Sequence, residues 1–256
     1  MSSRLSVIVY HAVGAPPEPD DHYGLFVSEE SFAEQMAFLA HHRQVVTLET
    51  GLSGQLGTRP SVAITFDDGY RNNLTMAAPI LNAYGLPATV FVATGWLGRR
   101  SDWIDYPDTC DTVIMTRDEL AEIEKLGIRV ESHGHAHIDM AQGDPSSVAD
   151  DVRESQLVIQ DAVGRQPTFL AFPWGNHTET ARRTVEELGF AGAFSIDRPS
   201  DGRFAMSRTT VSRATGRFTF AFKTSGYFET IRYSRVVSGS AARLAQARRR
   251  RAGLSV

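Results

Sequence analysis

Short unbroken runs of apolar residues alternate along this chain with stretches whose apolar positions recur every three or four residues. The runs Leu5–Tyr10 (LSVIVY), 62–66 (VAITF), 88–93 (ATVFVA), 128–131, 169–172 and 191–196 predict strands covered on both faces, and 45–47 predicts a shorter one. Ser28 reads as a helix N-cap, with Glu29 and Glu30 in the first turn and Phe32, Met36, Phe38 and Leu39 on the apolar face. Leu74, Ala77, Ala78 and Leu81 suit a helix that stops near Gly85, and Thr116 with Glu119 forms a capping box for a helix ending at Gly127. Further helices are expected at 148–163 and 178–188. Residues 95–115 follow neither period and are rich in Gly, Asp and aromatics, which marks a candidate lid or substrate loop.

Repeated strand–helix units predict a parallel sheet. With about seven such units in one domain, a distorted α/β barrel, (β/α)7-8, fits better than an open sheet, and the polar motifs fall just past the strand ends, where such barrels build active sites. Residues 1–235 read as one domain and 236–256 as a basic, flexible tail.

Composition narrows the class. The chain has 256 residues, 42% hydrophobic and 22% charged with a net charge of −4, which excludes a disordered or fibrous protein. Cys110 is the one cysteine, so no internal disulfide framework exists. No stretch approaches the roughly 18–20 apolar residues that span a bilayer, and residues 5–10 read as a strand rather than a secretory signal. The expectation is a soluble, cytoplasmic protein. No Gly-x-Gly-x-x-Gly follows a strand, so nucleotide binding is not indicated. After Glu229 there is no acid, and the tail carries Arg243 and Arg248 to Arg251. A frayed, solvated terminus is the plain reading, with weak attraction to an anionic membrane surface as the sharper one. A short basic tail on an acidic body is poor evidence for nucleic-acid binding, and no nucleic-acid partner is expected.

Four clusters carry candidate chemistry. Thr65-Phe66-Asp67-Asp68-Gly69-Tyr70 puts two adjacent acids at a strand end, where each raises the other's cost of ionising unless a cation intervenes. Neighbouring side chains in a strand point opposite ways, so one acid can bind a metal while the other faces a substrate. An Asp-Gly turn with solvated acids has the same letters. Ser132-His133-Gly134-His135-Ala136-His137 gathers three of eight histidines. Its spacing leaves His135 undecided, since a helical turn pairs His133 with His137 whereas an extended chain aligns all three. One carboxylate and two imidazoles suit a zinc site with an open position, and equally the facial triad of non-haem iron oxygenases. Phe172-Pro173-Trp174-Gly175-Asn176 suggests a fixed turn that aims a backbone N–H. Tyr10-His11 ends the first strand.

Together, these motifs resemble the polysaccharide deacetylase family, carbohydrate esterase family 4, over roughly residues 5–215. TFDDGY looks like its first motif, SHGHAH its His-Ser/Thr-x-x-His motif and AFPWG its third. The opening strand that ends in Tyr10-His11 resembles a circularly permuted subgroup. The resemblance implies that barrel and an N-deacetylase acting on an N-acetylated amino sugar, as oligosaccharide, polysaccharide or lipid-linked precursor. It implies a divalent metal, Zn2+ first with Co2+ or Ni2+ also fitting, held by Asp68, His133 and His137. Asp67 would be the general base, His11 the acid for the leaving amine, and the Trp174 N–H an oxyanion donor. Tyr70, Pro173, Trp174 and Gly175 would bind substrate, with Trp96 or Trp103 offering further faces to sugar rings. Two departures stand out. Gly134 replaces a hydroxyl residue, so a looser metal grip is expected. The arginine before the Pro-aromatic pair is missing, with Arg208 as the substitute beside Asp67; Asp197 falls where a fourth motif is expected. Alternatives are a deformylase or cyclic-amide hydrolase on the same metal, an iron-dependent oxygenase and a non-catalytic carbohydrate-binding relative.

Overall fold

Strands that are apolar along their whole length need cover on both sides, and the chain supplies it with helices outside and side chains within. The structure, a computed structural model, describes residues 4–15, 21, 24–54, 56–106 and 110–234. In order, the elements are β1 (Leu5–Tyr10), β2 (Ala12–Val13), β3 (Phe26–Val27), α1 (Glu29–His42), β4 (Gln44–Val45), α2 (Leu48–Leu52) and β5 (Ser61–Phe66). A π-helical turn, Asn73–Ala77, leads into α3 (Ala78–Ala83), followed by β6 (Ala88–Val92), α4 (Arg117–Lys125), β7 (Ile128–Ser132), α5 (Pro145–Val163) and β8 (Phe169–Ala171). Then come α6 (Glu179–Glu187), β9 (Gly192–Phe194), β10 (Thr209–Thr210), α7 (Arg217–Lys223) and α8 (Phe228–Arg232).

The main sheet is parallel, in the order β10-β1-β5-β6-β7-β8-β9, with β4 beside the start of β5. It curls into the expected distorted barrel. A strap of chain spans the gap between its edges. The N–H groups of Ser195 and Asp197 donate to Met206 and Arg208 carbonyls at 2.8 and 2.9 Å, and on the other side the Val211 N–H donates to Val9 at 2.8 Å. Alternation along each strand separates two cores. Ile8 and Tyr10 face outward onto Phe32, Met36 and Leu39 of α1. Val7, Ala63, Phe91, Phe169, Ala171 and Phe194 form an inner cluster.

The N-cap at Ser28 and the capping box at Thr116 hold, each accepting from the third residue of its helix, and Thr178, expected inside a helix, caps α6 in the same way. Some boundaries move. Thr47 does not extend a strand over 45–47 but caps α2, accepting from the Thr50 N–H. Helix α5 begins at Pro145 rather than 148 because Asp144 accepts from the Ser146 and Ser147 N–H groups and proline suits a first helical position. The tail at 236–256 lies outside the described residues. Among those described, no helix is long and apolar enough to cross a membrane.

Glu131 is a charged side chain wholly inside the fold. Strands β7 and β8 share a single register pair, Ser132 with Leu170. Glu131 reinforces the joint: its carboxylate accepts the Thr168 and Phe169 N–H groups at 2.5 and 2.7 Å and meets Arg165 at 3.2 Å. Burial pushes its carboxyl up to about 7 against those hydrogen bonds. A folded value above the unfolded one means that the stabilisation is complete below the ordinary glutamate range and is lost as pH rises through about 7. Denaturation of the wild type and Glu131→Gln between pH 5 and 8 should therefore show the wild type losing on the order of 3 kcal/mol relative to the variant as pH rises. A constant gap would contradict the buried-acid assignment.

Candidate active site

Strands β1, β5, β7 and β8 deliver the polar motifs to one end of the barrel, around an open cavity of about 320 Å³. Its lining includes His11, Asp67, Asp68, His133, His137 and Trp174, joined by Leu25, Trp103, Ile104, Ile196 and Asp197. The described non-glycine residues with φ in the left-handed region are Asp68 (69°), His137 (58°), Trp174 (61°) and Asp197 (51°). All four line this cavity. Such conformations cost on the order of 1–3 kcal/mol each and persist where the surroundings enforce them.

Asp68, His133 and His137 converge. One ligand atom from each lies within 4.8 Å of the others, all three residues are buried, and the arrangement suits a metal ion. The Nε2 atoms of His133 and His137 lie 3.4 and 3.3 Å from Asp68 Oδ1. His133 Nδ1 lies 2.8 Å from the Ala171 carbonyl, a contact that requires the proton on Nδ1 and leaves Nε2 with a free lone pair. Burial pushes the Asp68 carboxyl up, but its close contacts with the two imidazoles outweigh it and hold the group well below the usual range. Burial pushes both imidazoles down. The Asp67 and Asp68 carboxylates reverse this at His133, whereas burial prevails at His137. Two imidazoles and a carboxylate around one point form a donor set that fits zinc and its neighbours.

Asp67 lies just past the end of β5, and the left-handed backbone at Asp68 turns the second acid to the imidazoles while Asp67 meets a different partner. Asp67 is 0% exposed and gripped by Arg208, also 0% exposed, through Nη1–Oδ1 at 2.6 Å and Nη2–Oδ2 at 2.7 Å. The guanidinium also reaches Thr65 Oγ1 and the Ser195 carbonyl, both at 3.3 Å, and lies 5.1 Å from the Phe91 ring centroid. Burial pushes the Asp67 carboxyl up, yet the Arg208 and His133 charges hold it below the ordinary range. Arg208 comes from the closing strap, so the substitute arginine expected from the sequence sits beside its carboxylate.

His11 reaches the cavity from the end of β1. Its carbonyl accepts from Asn73 Nδ2 at 2.8 Å, and its buried Nδ1 has no hydrogen-bond partner. Trp174 stands 46% exposed at the cavity rim. The rings of Trp103 and Trp174 flank His137: Trp103 stacks on it at 4.0 Å and Trp174 meets it edge-on at 5.2 Å, while Trp96 packs against Trp103 at 5.4 Å.

Three expectations about the substrate groove are corrected. Tyr70 is 1% exposed, with its hydroxyl 3.5 Å from Ser101 Oγ, so it backs the site and offers no face to a sugar. Pro173 and Gly175 are buried as well; they shape the turn that presents Trp174. A Cβ at position 175 would lie 2.9 Å from the Ile196 nitrogen, which explains the glycine there. Asp197 lies at the rim, paired with Arg232 at 2.5 Å and accepting from Thr210 Oγ1 at 2.9 Å. His135 stays outside the converging trio, its Nδ1 3.1 Å from Thr94 Oγ1. Sequence reasoning missed Asp151, which accepts from the His135 and Ala136 N–H groups at 2.8 and 2.7 Å. An acid on an amphipathic helix beside another acid, Asp150, carries no local signal.

Fold and site together define a curled parallel α/β barrel with a buried Asp-His-His group that could hold a metal ion. The chain belongs to the polysaccharide deacetylase family, whose model matches residues 55–193. YxkH of Bacillus subtilis (strain 168), named as a candidate polysaccharide deacetylase, is 26% identical over 223 residues, covering 82% of this chain and 72% of that one. The poly-beta-1,6-N-acetyl-D-glucosamine N-deacetylase of Staphylococcus aureus (strain MRSA252) is 24% identical over 204 residues, 73% of this chain and 68% of that one. The structure of the Streptococcus pyogenes deacetylase PplD in complex with acetate aligns with a TM-score of 0.74 at 19% identity, covering 88% of this chain and 99% of that one, a likeness of fold.

The paired charges yield a direct test. Arg208→Met leaves the Asp67 carboxylate buried without its counter-charge, and such losses cost about 3–5 kcal/mol. Urea denaturation should show a loss of that size; a loss below about 1 kcal/mol, the range of an exposed pair, would contradict the clamp.

Proposed function

We propose that this protein is a metal-dependent N-deacetylase acting on an N-acetylated amino sugar. The observation that carries this reading is the buried convergence of Asp68, His133 and His137 beside an Asp67 that Arg208 keeps separate from them. Family membership and the named N-acetylglucosamine deacetylase among its relatives support the substrate class.

Asp68, His133 and His137 would hold a divalent ion, with Zn2+ first and Co2+ or Ni2+ also suited to the donors. When bound, it supplies Lewis-acid polarisation of an acetyl carbonyl and acidifies water. Asp67 takes the proton of the attacking water. Its low acidity range keeps it ionised at neutral pH, the form a base requires, and Arg208 keeps it aimed. The Trp174 N–H, presented by the strained turn, donates to the oxygen of the tetrahedral intermediate; one such donor is worth about 2.7–4 kcal/mol of barrier. His11 protonates the nitrogen as it leaves, so that amine rather than amide anion departs. Trp174 and Trp103 offer apolar surface to a sugar ring beside these groups.

Release of acetate from short N-acetylglucosamine oligomers, with and without chelator and added divalent ions, tests the reading. Acetate that appears only with metal is expected; formate release from formylated substrates alone would point to a deformylase. Asp67→Asn should keep the ion and lose about 100-fold or more in turnover; equal loss of ion and turnover would make Asp67 a ligand. His11→Ala should lower kcat by a similar factor with metal content unchanged, and an unchanged rate would remove His11 from the reaction.

A further inference from the structure

His133 and His137 are held in different ways. The ring of His133 is oriented by its Nδ1 contact to the Ala171 carbonyl. The buried Nδ1 of His137 has no hydrogen-bond partner, so no acceptor sets the direction of its Nε2. Its ring is confined by stacking on Trp103, and its backbone sits at a φ of 58°. What aims this imidazole must therefore be the chain that carries it.

That chain is cradled completely. The Gly134, His135 and Ala136 N–H groups donate to Ser132 Oγ at 3.2 Å and to Asp151 Oδ2 and Oδ1 at 2.8 and 2.7 Å. Their carbonyls accept from the Thr94 and Gly95 N–H groups and from Trp96 Nε1, at 3.2, 2.7 and 3.4 Å. Every backbone polar group of the three residues is used, and one side chain, Asp151 on α5, takes two successive donors with its two oxygens. Gly134 makes this possible. A Cβ at that position would stand 2.6 Å from Asp151 Oδ2, and its φ of +74° disfavours any side chain.

We infer that Asp151 is a positioning residue for the ion site: its carboxylate fixes the 134–136 backbone and, through it, the direction of the His137 ring. Gly134 and Asp151 act as a pair, and the hydroxyl absent from position 134 is replaced by a charge-assisted clamp from the neighbouring helix. The looser grip expected from Gly134 is thereby offset. This inference rests on the reading of Asp68, His133 and His137 as ligands of a divalent ion.

Titration of Co2+ into metal-free protein, followed by calorimetry and by the visible absorption of the bound ion, tests it. Asp151→Ala should weaken Co2+ binding about 10–100-fold, in the range typical for groups that support metal ligands, and should alter the absorption band. Asp151→Asn, which keeps one acceptor oxygen, should weaken it less, whereas Asp150→Ala, on the exposed neighbour, should match the wild type. At saturating Co2+, the kcat of Asp151→Ala should recover with KM unchanged, which a general loss of structure would not allow. Folded Asp151 variants with wild-type Co2+ affinity overturn the inference. If the alanine variant does not fold, the asparagine variant decides; failure of both to fold assigns Asp151 to folding and also overturns it. A wild type that binds no Co2+ overturns the ligand reading itself and this inference with it.

Discussion

The site depends on the buried ion pair between Asp67 and Arg208. Two neighbouring carboxylates at a strand end repel one another, and burial raises the cost of both charges. The guanidinium takes both oxygens of Asp67, and the imidazoles of His133 and His137 gather on Asp68. On the proposed reading, one acid is thereby reserved from the ion and the other committed to it. The two adjacent acids reach different partners because the chain leaves β5 at Phe66 and turns left-handed at Asp68. Arg208 itself belongs to the strap between β9 and β1, so closing the barrel and completing the site are the same event.

Strain and support are matched around the cavity. Asp68, His137, Trp174 and Asp197 adopt left-handed backbone conformations that the chain avoids elsewhere among its described non-glycine residues. Each is held by its neighbours: Asp68 by the Ala93 N–H on its carbonyl, Trp174 by the buried Pro173 and Gly175, His137 by the 134–136 cradle, Asp197 by Thr210 and Arg232. The surrounding fold thus supplies the energy that keeps these groups aimed before substrate arrives, the condition for electrostatic preorganisation.

Much of this was legible in the sequence because it is local. Strand β5 and its DDG ending, the histidine cluster after β7 and the proline–aromatic turn after β8 each announce themselves within six residues or so. The cap at Ser28 and the capping box at Thr116 do likewise. What was less legible arises over distance. Arg208 and Asp67 are 141 positions apart, and the arginine sits next to a two-residue strand with no periodicity to reveal it. Asp151 looks like a surface acid on an amphipathic helix, and its function comes only from the folded loop that reaches it. Tyr70 illustrates the opposite failure: it follows the acid motif so closely that a place in the groove seems natural, but the turn at Gly69 directs its ring into the core.

The central claim, that Arg208 divides the labour of the two acids, is tested most directly by anomalous diffraction from crystals grown with Zn2+ or Co2+. The account predicts one peak at about 2.0–2.2 Å from an oxygen of Asp68 and a nitrogen each of His133 and His137, with both Asp67 oxygens still on Arg208. An ion ligated by Asp67 after release of Arg208, or bound away from this trio, would contradict it.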